Sequence, residues 1–344
     1  MTIRWGLLST ARINKLVLEG ARESDCVEVI AVASRERARA EAYARKNLIE
    51  RAYDGYEALI ADTEVDAVYI SLPNALHVEW TLRALEAGKH VLTEKPFSRR
   101  AAEVEAAFDV ADRYELVLSE GFMWRHHPQT RALEDLLAGN AIGRLRLVRA
   151  ACSFPLATVH GPDDARFDPQ LAGGALMDVG CYCVNAIRAF GGEPVEVRAH
   201  QVVGETGVDV VFAASLRLSN NVLAHFDCGF VVPFRDELEL VGEDASLFVD
   251  DPFHVHVPGD RAATWVWNRA ARGASRKLVS PGTRERERRD LRPGAAAARS
   301  RRRGRSGPRH RGSLRRSGCR SAAHVGIESR GPMLKSSMQE RSPA

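Results

Sequence analysis

The chain has 344 residues, 45% of them hydrophobic, enough for two domains with real cores, so most of it is not a disordered protein. The net charge of +4 is a composite: residues 284–320 hold fifteen Arg, no Lys and three acids (+12), residues 321–344 add +1, and residues 1–283 carry −9. An acidic body suits a soluble enzyme and gives no reason to expect nucleic acid as a partner.

The start, "MTIRWGLLST", lacks a basic region followed by a long apolar segment, and no window reaches about 18 uninterrupted apolar residues, so no membrane partner and a cytoplasmic location are expected. Residues 1–120 alternate short apolar runs with amphipathic stretches, which predicts an α/β, doubly wound (Rossmann) domain. "IRWGLLS" and "VEVIAVAS" read as the first two strands, and "VDAVYISLP" and "KHVLTEKP" as the fourth and fifth. Between the last two, "HVEWTLRALEAG" reads as a helix closing on Gly88. Ligands of such folds sit beyond the carboxyl ends of the strands.

The first strand-to-helix turn, "GLLSTARI", is where a dinucleotide pyrophosphate meets the amides and dipole of a helix amino terminus. Ser9, Ala11 and Asn14 stand where the GxGxxG template has glycine, so the stretch equally fits an ordinary strand-to-helix turn. After the second strand comes "ASRER" instead of an acid; the hydroxyl of Ser34 and guanidinium of Arg35 suit a 2′-phosphate and favour NADP over NAD, unless Arg35 merely opens a solvated helix face. In "GKHVLTEKPFS", Lys95 follows a buried strand and precedes Pro96, a cation at the ligand edge of the sheet that also reads as a plain loop start. "EGFMWRHHPQ" places Trp124 and Arg125 either at a cofactor site or as a bridge between domains; His126 and His127 are adjacent and cannot both face one metal from a helix.

From about residue 143 the chain turns to long alternating strands, "RLRLVRAACSF", "VEVRAHQVV", "DVVFAASLRLSNNVLAHFDCGF" and "DELELVGEDASLFVDD", predicting an α+β domain over residues 121–270 with an open, mostly antiparallel sheet. One helix, around "GALMDVGCYCVNAIRAF", carries Asp178 and Tyr182 four apart on one face. A phenol beside an ammonium can act as an acid/base, its pKa pulled down by the positive charge; the alternative is a tyrosine that only packs against the sheet. The six cysteines (Cys26, Cys152, Cys181, Cys183, Cys228, Cys319) form no CxxC pair and have no His at metal-ligand spacing, which predicts reduced thiols and no metal site. Beyond Trp267 there is no aromatic residue, and residues 271–344 are expected to be unstructured.

With "EKPFS", "EGFMWRHHP" and "GGALMDVGCYCVN" in this order and at these separations, residues 3–270 resemble the glucose-fructose oxidoreductase, inositol dehydrogenase and rhizopine-catabolism (Gfo/Idh/MocA) family. "DVGCY" and "STARI" resemble its branch of NADP-dependent D-xylose and trans-1,2-dihydrobenzene-1,2-diol dehydrogenases. The resemblance implies a Rossmann domain, an open-sheet domain through which copies form a homo-oligomer, and oxidation of a hydroxyl on a sugar or cyclic diol. Lys95, Asp178 and Tyr182 would then be catalytic, with Tyr182 taking the hydroxyl proton, Lys95 stabilising the alkoxide and Asp178 orienting Lys95 or the substrate hydroxyl. The dinucleotide, NADP or alternatively NAD, would fall to Ser9, Thr10, Ala11, Arg12, Ile13, Ser34, Arg35, Leu72, Asn74, His77, Glu94, Trp124 and Arg125. A regulator that binds dinucleotide without reacting is the competing reading.

Family members end near "QARxxEALYxSA", which this chain lacks. Read one nucleotide later, residues 300–318 permit "LGGAVDQARVTEALYDAAA", so a frameshifted C-terminus, with the shift around residues 268–285, is expected. If the tail is genuine, its fifteen arginines would bind polyanions with steep salt dependence.

Overall fold

The alternation over the first 120 residues produces, in a computed structural model, a parallel sheet layered with helices. The structure describes residues 2–254 in full and the backbone of 264–268 and 277–279. The strands are β1 (Ile3–Leu8), β2 (Val27–Ser34), β3 (Arg51–Asp54), β4 (Ala67–Ile70), β5 (His90–Thr93) and β6 (Leu118–Glu120). They pair wholly in parallel in the order β3-β2-β1-β4-β5-β6. The connecting helices are α1 (Asn14–Arg22), α2 (Arg37–Asn47), α3 (Tyr56–Ile60), α4 (His77–Glu86) and α5 (Ala101–Arg113). Central strands must be apolar on both faces, and all four residues of β4 are buried. Strand order reverses between β1 and β4, so a ligand crevice opens above their carboxyl ends. Helix α4 buries Trp80, Thr81, Ala84 and Leu85 against this sheet and ends at Gly88, as its periodicity predicts.

The second sheet is mixed. Its strands are β7 (Leu145–Ser153), β8 (Pro194–Val203), β9 (Asp209–Leu218), β10 (Leu223–Gly229), β11 (Arg235–Gly242), β12 (Ala245–Asp250), β13 (Thr264–Asn268) and β14 (Lys277–Val279). They are ordered β14-β13-β12-β11-β7-β10-β9-β8, with β7 and β10 parallel and every other pair antiparallel. Two stretches that read as single long strands are hairpins: "DVVFAASLRLSNNVLAHFDCGF" breaks between β9 and β10, where Asn221 takes a left-handed φ of 63°, and "DELELVGEDASLFVDD" breaks between β11 and β12. Helices α6 (Pro128–Ala138) and α7 (Leu156–His160) flank β7, and a turn of π-helix (Leu176–Gly180) runs into α8 (Cys181–Gly191). Ala186 and Ile187 of α8 join Val148, Phe226, Leu238 and Leu247 of the sheet in one buried core. Each such large side chain contributes about 1.5–3 kcal/mol on burial.

Cys152, Cys181, Cys183 and Cys228 carry free thiols. Among the described residues no helix is long and apolar enough to cross a membrane. The tail beyond residue 280, with its expected frameshift, lies outside the described residues.

Candidate active site

The turn after β1 is built without glycine. Ser9 Oγ accepts the Ala11 amide (3.0 Å) and reaches the hydroxyl (2.7 Å) and carbonyl (2.9 Å) oxygens of Ser71, just past β4. Ser71 Oγ donates to Asn14 Oδ1 (2.6 Å), and Asn14 Nδ2 donates back to the Ser9 carbonyl (2.8 Å), closing a buried ring of hydrogen bonds. Side chains thus hold a tight turn that glycine would otherwise allow by backbone freedom. Ser71 carries no signal of this in the sequence, because its partners are 62 and 57 residues away. The amides of Arg12 and Ile13 have no hydrogen-bond acceptor among the described residues and lie at the amino end of α1, a donor set that fits a pyrophosphate. Thr10 and Ala11 are half-buried beside them; the exposed guanidinium of Arg12 instead meets His160 Nδ1 of α7 at 3.2 Å.

At the end of β2, Ser34 is buried, and its Oγ accepts the Glu36 amide (3.3 Å). Arg35, ahead of α2, and Arg39, in its first turn, are exposed, and neither meets a carboxylate among the described residues, whereas Arg37 between them is paired with Glu41. Both lie near Tyr56, whose burial raises its phenol pKa against their opposing charge. Two unpaired guanidiniums fit a dianionic 2′-phosphate.

The chemistry converges on Lys95. Its ammonium donates to the Asp178 carbonyl (2.8 Å) and to Asp178 Oδ1 (3.0 Å), and it lies 4.9 Å from the centre of the Tyr182 ring. Lys95 and Asp178 are only 12% and 13% exposed at the side chain. The second oxygen of Asp178 accepts from Arg166 (3.3 Å), which is itself held by both oxygens of Asp164. Burial raises the Asp178 carboxyl, but Lys95 and Arg166 outweigh it and the net shift is downward. Burial likewise lowers the Lys95 ammonium, and Asp178 foremost brings it to a net rise. Asp178 sits in the π turn and Tyr182 follows in α8, and both meet Lys95. Two glycines permit this geometry. Gly174 has φ +119°, and a Cβ there would lie 2.1 Å from Asp209 Oδ1; a Cβ on Gly180 would lie 2.7 Å from Cys228 Sγ.

One expectation reverses here. The ammonium was expected to pull the Tyr182 phenol down, but burial dominates and holds its pKa well above the usual value, with Lys95 only moderating the rise. The resting side chain is a protonated phenol.

The loop that carries Lys95 is clamped from three sides. Phe97 donates its amide to Glu120 Oε1 (2.8 Å), and the two ring nitrogens of His77 face the carbonyl oxygens of Pro96 and Leu72, each at 2.8 Å. Glu94 accepts a hydrogen bond from Tyr69 and the Lys95 amide (3.3 Å), and burial raises its carboxyl. His77 and Leu72 are buried and joined to each other beneath the loop. Trp124 is 2% exposed and packs among Phe190 and Phe253, which places it in the core rather than at a cofactor surface, while Arg125 is exposed. Asn74 Nδ2 reaches the Ala172 carbonyl (3.1 Å) at the edge of a cleft of about 440 Å³ that Pro96, Arg99 and Met177 also line.

Residues 3–122 match the oxidoreductase family with an NAD-binding Rossmann fold, and residues 130–248 match the GFO/IDH/MocA C-terminal domain. The chain belongs to the Gfo/Idh/MocA family of oxidoreductases. Among its relatives, D-xylose 1-dehydrogenase (NADP(+)) 2 of Haloferax volcanii is 40% identical over 253 residues, 73% of this chain and 77% of that protein. Trans-1,2-dihydrobenzene-1,2-diol dehydrogenase of Danio rerio is 34% identical over 262 residues, covering 75% and 77%. A 3-ketoreductase from Actinomadura kijaniata, solved with NADP and TDP-benzene, superposes with a TM-score of 0.75 at 31% identity over 81% of this chain and 85% of that one. In this Gfo/Idh/MocA chain Arg166, which sets Asp178, lies outside the quoted motifs, while Glu120, which holds the Lys95 loop, opens "EGFMWRHHP".

Proposed function

We propose that the protein is an NADP-dependent oxidoreductase that interconverts a carbinol and a carbonyl on a sugar or cyclic diol. The observation that carries this is the meeting of Lys95, Asp178 and the Tyr182 ring at the carboxyl edge of the parallel sheet. Named activities of the relatives, on D-xylose, a cyclic diol and a keto sugar, support the substrate class. Ser9 to Ile13 and the free amides of Arg12 and Ile13 would hold the pyrophosphate, and Ser34, Arg35 and Arg39 the 2′-phosphate. Bound NADP supplies the hydride acceptor or donor at nicotinamide C4.

Tyr182 exchanges a proton with the substrate oxygen. In reduction the phenol gives its proton to the oxygen that becomes hydroxyl; in oxidation the phenolate takes it back. The Lys95 ammonium compensates negative charge on either oxygen, and Asp178 fixes Lys95 with Arg166 on its other side. Changing Lys95→Ala should abolish nicotinamide absorbance change with a panel of pentoses, hexoses and cyclic diols while NADP(H) binding persists. Undiminished turnover in that variant would overturn the assignment.

Two organisational readings accompany it. Val195, Val197, Val202 and Val203 on β8 and Leu223 on β10 are more than half exposed, which supports self-association through the second sheet, checked by the mass in solution from light scattering. The composition of residues 299–320 supports a frameshifted C-terminus, decided by resequencing the gene across residues 268–285 and assaying the frame-corrected protein beside this chain.

A further inference from the structure

A second pair of titratable groups adjoins Tyr182 from the opposite domain face and takes no part in the reaction described above. His254 follows β12, and its Nδ1 lies 2.7 Å from Asp236 Oδ2; its backbone amide donates to the same oxygen (3.2 Å). Asp236, on β11, is 3% exposed, and its carbonyl accepts the Asp251 amide (2.9 Å), so strand and following turn are tied together at this point. The imidazole centre lies 5.3 Å from that of the Tyr182 ring at a tilt of 58°. Phe253 stacks on the phenol at 5.5 Å, Phe122 meets it edge-on at 5.7 Å, and Lys95 Nζ lies over it at 4.9 Å. Among these neighbours the imidazole is the one tied to a buried carboxylate.

We propose that His254, anchored by Asp236, is a positioning residue that holds the Tyr182 ring in place and couples its phenol to the charge of the Asp236–His254 pair. The inference rests on the proton-transfer role given to Tyr182 under Proposed function. Its physical basis is a short charge separation in a poorly solvated setting. With one titrating proton present the pair is an imidazolium–carboxylate or its neutral equivalent, with no net charge. After that proton leaves, the pair carries −1 beside the phenol ring and opposes formation of phenolate. Among the described residues, Cys152 on β7 and Asp251 in the turn also face the pair, His127 ahead of α6 lies near Asp251, and Lys95 lies over the Tyr182 ring. Burial first, and Asp251 with it, raises the Asp236 carboxyl against the opposing effect of His254. His254 is about one-third exposed, which leaves the pair able to exchange its proton with water.

The test needs a readout that does not depend on turnover. With ring-labelled [13Cζ]tyrosine, the Tyr182 resonance is identified by its loss in Tyr182→Phe and followed from pH 5 to 9. We expect a step in the full-length protein that disappears in His254→Phe, which keeps an aromatic ring, and in His254→Gln. Asp236→Asn should displace the step. In the NADP-linked assay, His254→Phe should lower kcat about tenfold, a fraction of the 10²–10⁴ that proton transfer supplies, with KM for NADP unchanged. A Tyr182 titration in His254→Phe and His254→Gln that superimposes on the parent curve overturns the coupling, whatever the activity. A step that vanishes as expected in a protein whose Lys95→Ala variant still turns over would sustain the coupling and sink the assigned reaction instead.

Discussion

Replacing Asp178 by Asn is the sharpest perturbation of the centre, because it removes one charge and almost no volume. Lys95 and Asp178 are each nearly buried, so the change strands an ammonium and weakens the hold on Arg166. Breaking a buried ion pair from one side costs about 3–5 kcal/mol. Two features place Asp178→Asn near the lower end: Lys95 keeps the residue 178 carbonyl at 2.8 Å, and Arg166 keeps Asp164. A loss of about 3 kcal/mol lowers Tm by roughly 4 °C in a protein of this size, at about 2.1 cal/mol/K of unfolding entropy per residue. The pH dependence follows from the directions of the two shifts. The Asp178 carboxyl is held below its ordinary value of 3.8, so its contribution is present above that value and lost as pH falls through the folded pKa. The Lys95 ammonium is held above its ordinary 10.5, so its contribution is present below that value and lost as pH rises through the folded pKa. The gap in Tm between parent and variant should therefore be a plateau across neutral pH and shrink only in strong acid or strong base. Thermal unfolding by circular dichroism at pH 3, 5, 7 and 9 measures it. A gap under about 2 °C at pH 7 would mean that the pair does not hold this part of the fold together, and the positioning of Lys95 would need another cause.

Other outcomes follow from the same contacts. Arg35→Ala removes one of two unpaired guanidiniums at the end of β2, and losing a charged hydrogen bond of about 1.5–3 kcal/mol should weaken NADP roughly 10- to 150-fold while NAD binding stays within about twofold; titration calorimetry with both dinucleotides decides it, and equal weakening of both refutes the phosphate role. Ser71→Ala opens the ring of hydrogen bonds that replaces glycine in the first turn and leaves Asn14 Oδ1 buried without this donor, which should cost about 1–3 kcal/mol in urea unfolding and weaken dinucleotide binding as well. Tyr182→Phe should lower kcat by about 10²–10⁴ with little change in KM, because packing against Phe122 and Phe253 survives the loss of the hydroxyl.

Much of this architecture is legible in the order of residues, and the boundary of that legibility has a physical cause. Strands β1, β2, β4 and β5 declare themselves because a period of two, or a short unbroken apolar run, is a local property, and α4 does so through its stripe and Gly88. The break at Asn221 is a weaker mark, since the alternation of β9 continues in phase into β10, whereas at residues 243–244 the buried positions switch from even to odd. Lys95, Asp178 and Tyr182 could be singled out as types, yet their meeting joins positions 83 apart, and Arg166, which holds Asp178, Glu120, which holds the Lys95 loop, and Ser71, which holds the first turn, are ordinary polar types whose partners lie far along the chain or across the fold.

The sign of the Tyr182 shift shows where such reading stops. A sequence displays which charges exist; it does not display how much water remains around them. Lys95 favours the phenolate, while removal of water from the same small volume disfavours it, and both effects grow with burial. Asp178 and Lys95 escape that penalty because each has an opposite charge within 3.0 Å, but the phenol faces the ammonium only through its ring, at 4.9 Å. The direct ion pair therefore keeps its charges, and the phenol keeps its proton. That difference in contact, atom to atom in one case and atom to ring face in the other, sets the resting protonation of the site, and it exists only once the fold has brought positions 178 and 182 to the same lysine.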